Sequence, residues 1–279
     1  MAWSRGMTWE NYFETPREFK DLYLKKLGIE QRTPSQQYLD ELVRKHQLVF
    51  PVENLDITDF HLPVHIDPQS LMKKILLKAR GGFCFELNGA FSLLLKALGF
   101  DAWLCPCRPL QHAEPCPVPA THCAILIYLN GKARFADVGY GGPVPSGSIE
   151  FKEHELQTVK KETFYFRKSG ISPDDNTSNP EHSGWYTLIR RSQNTGQDMS
   201  LMQMTPIQQY LCDFYGQSLL RSSGDSAYEE RQVSVRYTDG FANLQGKTLT
   251  VLKSGQRQVS EIDDSDLSLV LKKYFGIIV

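Results

Sequence analysis

The chain of 279 residues carries 31 Lys and Arg against 32 Asp and Glu, a formal net charge of -1, with 41% hydrophobic and 23% charged residues. Such values exclude a disordered or fibrous chain, and the balanced charge leaves no global footprint for nucleic acid or an anionic membrane, favouring a small, weakly charged partner. At roughly 100 to 200 residues per domain the length predicts two domains, or three small ones.

Met1 to Asn11 lacks the basic-then-apolar pattern of a secretory signal, and no window approaches about 18 uninterrupted apolar residues, so a cytoplasmic location is expected. From Thr15 to Asp59 apolar residues recur at helical spacing, with Thr33-Pro34-Ser35 as a helix start and Pro in the first turn. A second helix is predicted from about Cys84 to Leu98, ended by Gly99. Short β-rich runs follow: Ala102 to Cys107, Thr121 to Leu129, Ala133 to Val138, Thr163 to Arg167, Trp185 to Arg190 and Met199 to Met204. They read as an antiparallel barrel or sandwich, with Ser172 to Ser183 as a surface loop. Pro206 is expected to open an amphipathic helix through Leu219, strands are expected near Val233 to Tyr237 and Thr248 to Leu252, and Asp264 to Phe275 closes as a helix.

Two glycines stand ahead of a cysteine that opens an apolar helix in Arg80-Gly81-Gly82-Phe83-Cys84-Phe85-Glu86-Leu87-Asn88. This arrangement aims free backbone N–H groups and the positive helix end at the sulfur, favouring the thiolate, so Cys84 is a candidate nucleophile. The competing reading is a tight turn followed by a small buried hydrophobe. Asn130-Gly131 between two apolar runs is a hairpin signal. If Leu129 faces Lys132, paired positions sum to 261, and His122 and Asp137 fall on one face as diagonal neighbours. A carboxylate on one ring nitrogen fixes the tautomer and leaves the other nitrogen for a nucleophile, the arrangement of Cys-His-Asp chemistry. Taken singly, each is also a half-buried strand histidine and a turn-proximal acid.

Six cysteines, Cys84, Cys105, Cys107, Cys116, Cys123 and Cys212, are too dilute for a disulfide scaffold. Cys105-x-Cys107, His112, Cys116 and Cys123 fit no zinc spacing, and Asp263-Asp264-x-Asp266 reads as a helix N-cap rather than a calcium loop, so no metal is expected.

Arg80 to Asn88 resembles the R-G-G-x-C-x-E-x-N signature of the arylamine N-acetyltransferases. Phe50-Pro51-Val52-Glu53-Asn54-Leu55 is similar to that family's P-x-E-N-L segment, Ala136-Asp137-Val138-Gly139-Tyr140-Gly141 to its D-V-G-F-G strand, and Tyr274-Phe275-Gly276-Ile277 to its closing F-G-I. The resemblance implies an α+β fold: a helical N-terminal domain (1–98) carrying the nucleophile, an antiparallel β-barrel (99–205) carrying His and Asp, and an interdomain helix with a small α/β lid (206–279). It places a papain-like Cys84-His122-Asp137 triad at the junction of the first two, and makes Arg80 and Glu53 a structural ion pair. Acetyl-CoA is then a co-substrate, with no permanently bound cofactor, and an arylamine or hydrazine is the acceptor. Thr238 and Gly240 carry over as coenzyme A contacts, while Ser223-Gly224-Asp225-Ser226-Ala227-Tyr228 departs from the family's Ser-Pro-x-Ser-x-Phe-like run. Phe83, Phe85 and Tyr140 flank the site, and the two readings for them are the lining of an aromatic-accepting pocket and plain packing. The competing functions are an amide synthase of the same fold closing a macrolactam, a papain-like thiol hydrolase, and a catalytically silent binding module; oligomeric state is not encoded in any motif.

Overall fold

The structure, a computed structural model, describes residues 12–110, 120–169, 184–222, 228 and 230–279. His112, Cys116 and the stretch Ser172 to Ser183 lie outside the described residues, as do all of Ser223 to Tyr228 but Tyr228. The chain opens with helices α1 (Phe19–Leu27) and α2 (Gln36–Val49). Ser35 is the N-cap of α2, its hydroxyl accepting from Tyr38 N–H at 3.2 Å. Pro34 therefore stands just before the cap, and not in the first turn as the sequence predicted. Short helical turns at Leu55–Thr58 and Pro68–Leu71 precede the central helix α3 (Cys84–Ala97), which is buried from Cys84 to Ser92 and carries Glu86 and Asn88 among its buried residues. Gly99 follows it in the left-handed region with φ of 88°.

After a two-residue strand β1 (Val52–Glu53) ahead of α3, the strands that follow are β2 (Asp101–Pro109), β3 (His122–Leu129), β4 (Lys132–Ala136), β5 (Ile149–Glu150), β6 (Gln157–Val159), β7 (Glu162–Ser169), β8 (Trp185–Arg191) and β9 (Asp198–Met204). Strands β2 to β9 form an eight-stranded antiparallel sheet in the order β5-β4-β3-β2-β9-β8-β7-β6. The two edges meet through one side chain: the Gln157 amide accepts from Glu150 N–H at 2.6 Å and donates to Glu150 C=O at 2.7 Å. A primary amide thereby substitutes for a strand residue and nearly closes the barrel.

Period-two alternation divides β3 between two cores. Cys123, Ile125 and Ile127 pack on the helices, whereas Ala124 and Leu126 face the barrel interior with Phe135, Phe164 and Phe166. One face of β3 thus serves the helical core and the other the barrel interior.

The remaining strands are β10 (Gln232–Tyr237), β11 (Gly240–Gln245), β12 (Thr248–Lys253) and β13 (Gln256–Glu261), which join β1 in a second sheet of order β1-β10-β11-β12-β13. Val233, Val235, Ala242, Leu244, Leu271 and Phe275 form its core, joined by Leu55 from the first part of the chain. The expected helix from Pro206 is displaced. Gln209 N–H donates to Leu104 C=O at 2.8 Å, which keeps the chain extended beside the barrel, and helix α4 begins only at Tyr215–Ser222 after a tight turn at Leu211–Phe214. Asp263 precedes the last helical segment but its side chain makes no cap; Asp264 instead holds Lys247 at 2.9 Å and Arg231 at 3.5 Å. Among the described residues no helix is long and apolar enough to cross a membrane.

Candidate active site

The hairpin β3-β4 pairs Leu129 with Lys132 and Ile125 with Ala136, the register that sums to 261. Asn130 and Gly131 turn it with φ of 53° and 79°, the positive pair that a tight hairpin turn demands. Beyond Ala136 the ladder gives way and Asp137 is captured from other directions. Its backbone carbonyl accepts from Gln47 Nε2 at 2.9 Å, and Val138 N–H donates to Asn88 Oδ1 at 2.9 Å. Asp137 Oδ1 accepts from Asn88 Nδ2 at 3.0 Å and from Gly139 N–H at 2.9 Å. Its other oxygen lies 2.6 Å from His122 Nε2. The carboxylate has no exposed surface, and its partners are what make a buried charge tolerable.

With Nε2 directed at Asp137, Nδ1 of His122 is the nitrogen left for the nucleophile. Burial opposes the charge on His122, but the Asp137 carboxylate and the Cys84 sulfur, both as charges and as hydrogen-bond partners, outweigh it and raise the ring to about 10. Such a ring is protonated throughout the neutral range. Tyr140 stands edge-on to it, centroids 5.5 Å apart at 80°, and is itself fixed by donation from its hydroxyl to Leu201 C=O at 3.0 Å.

Cys84 occupies the first turn of α3, 5% exposed, with Sγ 3.6 Å from Thr121 C=O. Its amide N–H has no carbonyl partner within the helix, as for any first-turn residue. The turn before it is clamped by short contacts: Gly82 N–H donates to Pro51 C=O at 3.3 Å, Glu53 N–H to Gly82 C=O at 2.9 Å, and Phe83 N–H to Glu86 Oε2 at 3.0 Å. A Cβ on Gly81 would fall 1.9 Å from Pro51 O, so this approach requires glycine. Gly139 is constrained in the same way from the opposite side, since a Cβ there would lie 2.9 Å from both Cys84 Cα and Asn88 Nδ2.

Beneath this turn lies a buried charge network. Arg80 donates to Glu53 Oε1 from Nε at 3.0 Å and from NH2 at 2.8 Å, and reaches Asp56 at 3.0 Å. Lys74, which no motif singled out, binds Asp56 at 2.7 Å and Glu86 at 2.8 Å. Burial, with Glu53 and Asp56 nearby, raises Glu86 to about 7 against the pull of Lys74. For Lys74 burial opposes the charge, and the three carboxylates hold it above the ordinary lysine range.

Of the aromatic residues expected at a pocket wall, Phe85 belongs to the core instead: it has no exposed surface and stacks on Phe214 at 5.2 Å. Phe83 lies between Phe85 and Tyr228, at 5.5 and 6.4 Å. Thr238 and Gly240 fall in the β10-β11 hairpin, Gly240 opposite Tyr237 and Lys253, and Thr238 on the wall of a groove against α2. Asn88 was visible in the signature, but nothing in the sequence announced that it binds Asp137, Val138 and, at 2.7 Å, Cys123 C=O. Cys107 and Cys123 flank the site fully buried, and burial pushes both thiols well up. Among the described residues no three His, Cys, Asp or Glu side chains are grouped to hold a metal ion.

A profile of the N-acetyltransferase family matches residues 36–279. The chain is 26% identical over 262 residues to an arylamine N-acetyltransferase of Mycolicibacterium smegmatis, covering 91% of this chain and 90% of that one. It is 32% identical over 148 residues to one of Escherichia coli (strain K12), covering 52% of this chain and 51% of the relative, about half the length of each. The solved structure of an arylamine N-acetyltransferase from Salmonella typhimurium shares the fold, with a TM-score of 0.82 at 21% identity over 95% of this chain and 92% of that one.

Proposed function

The chain belongs to the arylamine N-acetyltransferase family, and on that premise we propose that it moves the acetyl group of acetyl-CoA to the nitrogen of an arylamine or arylhydrazine through an acetyl-cysteine on Cys84. The observation that carries the proposal is the buried 2.6 Å contact of His122 with Asp137, together with the Cys84 sulfur acting on the same ring. An imidazolium held between a carboxylate and a sulfur is placed to exchange a proton across the reacting sulfur.

In the first step Cys84 Sγ attacks the thioester carbon of the donor. The carbon-sulfur bond to coenzyme A breaks, and the departing thiol takes the proton of His122. In the second the acceptor nitrogen attacks the acetyl-cysteine, His122 Nδ1 receives a proton from that nitrogen, and Cys84 leaves as the thiolate. Negative charge on the carbonyl oxygen develops beside the N-terminus of α3, where the Cys84 N–H serves as a donor. Phe83 and Tyr140 border the reacting atoms, and no permanently bound cofactor is required.

The test is intact mass after mixing with acetyl-CoA and no acceptor. A gain of one acetyl group that maps to Cys84 and is lost in Cys84→Ser is the expected result. Labelling only by a carrier-bound acyl chain points to the amide synthase of the same fold, and no covalent product with any donor overturns the proposal.

A further inference from the structure

Between α2, the barrel and the lid lies a groove of about 730 Å³ that no step of the proposed chemistry uses. Arg44 and Lys45 of α2 line one wall, Lys160 lines the barrel side, and Thr238 marks the lid. Two carboxylates also face it, but both are occupied: Asp40 accepts from Ser148 N–H at 2.7 Å and from its hydroxyl at 2.5 Å, and Glu41 is paired with Arg32. Among the described residues Arg44, Lys45 and Lys160 have no ion pair, and Nε of Arg44 is buried without any hydrogen-bond partner.

A folded chain does not ordinarily bring cations together over an unpartnered buried donor. Lys160 sits at the β6-β7 turn with a positive φ of 56°, so the turn geometry fixes where its side chain emanates. Partial burial and the facing charges of Arg44 and Arg236 hold Lys160 below the ordinary lysine range. Arg236, behind the groove, adds no free charge: it is paired with Glu162 at 3.6 Å and donates to the Gly142 and Val144 carbonyls. The groove presents a guanidinium fork, ammonium groups and the Thr238 hydroxyl, a donor set that matches the several oxygens of a phosphate better than one carboxylate.

We propose that this groove is a phosphate-binding subsite centred on Arg44 and Lys160. It shares a wall with the site: Gln47, one helical turn beyond Arg44, donates to both Asp137 C=O and Pro145 C=O at 2.9 and 3.0 Å. The phosphate has two sources, the phosphates of the acyl donor, which rests on the function proposed above, or inorganic phosphate in solution.

Calorimetric titration with inorganic phosphate and with adenosine 3′,5′-bisphosphate, on the wild type and on Arg44→Gln/Lys160→Gln, separates them. The wild type should bind at least one of the two, and the double variant should bind it about tenfold more weakly. If the donor supplies the phosphate, the KM for acetyl-CoA relative to that for p-nitrophenyl acetate, an acetyl donor without phosphate, should rise about fivefold or more in the variant. If free phosphate is the ligand, phosphate binding falls while that ratio stays fixed. Should the double variant alter the far-ultraviolet circular dichroism, Lys160→Gln alone, at an exposed turn, gives the same readout. No binding of either anion to the wild type, or equal binding by wild type and variants, overturns the subsite. An enzyme that never acetylates would refute the function, while the two titrations would still decide whether the groove holds phosphate.

Discussion

Asp137 is held by three donors on two oxygens, and each constrains what a substitution does. Asp137→Asn keeps the shape but offers the His122 ring an NH2 group, which selects the wrong tautomer and removes the charge that keeps the ring protonated. The expected outcome is a fall in kcat on the order of 10⁴-fold with the fold retained. The His122 midpoint, followed by NMR of the labelled imidazole, should move down from about 10 towards or below its ordinary value. An unchanged midpoint would mean that the carboxylate does not govern the ring. His46 shows the opposite effect of burial. It has no charged partner, bonds Tyr23 Oη at 2.7 Å, and is lowered by desolvation to about 3. Its folded value lies below the unfolded one of about 6.5, so the unfolded chain binds the extra proton between these limits. The contribution of neutral His46 is therefore complete above about pH 6.5 and is lost as pH falls towards 3, with a slope of at most about 1.4 kcal/mol per pH unit. In His46→Gln, denaturant titrations at pH 4 to 6.5 should show that slope reduced relative to wild type.

At the scale of elements, the segment from Asp137 to Gly141 matters because of where it crosses α3. Gly139→Ala would place a methyl 2.9 Å from Cys84 Cα, and because that contact is backbone the segment must shift. A displacement near 1 Å at reacting groups is worth on the order of 10²-fold, so kcat/KM should drop by about that much while circular dichroism stays native. Retained activity would show that the helix N-terminus yields instead. The β3-β4 hairpin was legible because its turn residues and its apolar alternation agree on one register, but the ladder ends at Ile125 and Ala136, and Asp137 meets His122 beyond it, held by Asn88 and Gly139. Other elements carried no such signal. In β13 every residue is exposed, so no alternation marks it, and β1 is two residues long. The segment after Pro206 has helical spacing, but pairing of Gln209 with Leu104 overrides it. Lys74 and Asn88 were hidden for a different reason: each acts on residues distant in sequence, and a single side chain leaves no periodic trace.

Across the whole molecule the helical core and the core of the second sheet meet beside the turn before Cys84, and β1 is the element between them. Val52 and Glu53 pair with Ser234 and Val233 of the second sheet, while Val52 also bridges Gly82 and Glu53 N–H donates to Gly82 C=O. Leu55, two residues on, is fully buried in the core of that sheet. The second sheet, which the sequence led us to expect as a cover, and the floor beneath Cys84 are thus two sides of one hydrogen-bonded ladder. On the other flank, Ser234 Oγ donates to Gly141 C=O at 2.8 Å. Sub-global opening of the cover would break these bonds together with the charge network of Glu53, so the Glu53 amide should exchange with solvent only at the slow rate of global unfolding. Rapid exchange there, measured by mass spectrometry on the native protein, would separate cover from floor. Among the described residues this sheet is tied to the floor and not hinged away from it. No opening of this sheet is then expected to pace turnover, and kcat in sucrose solutions should be independent of microviscosity; a kcat that falls in proportion to viscosity would show that such a step, or product release, does pace it.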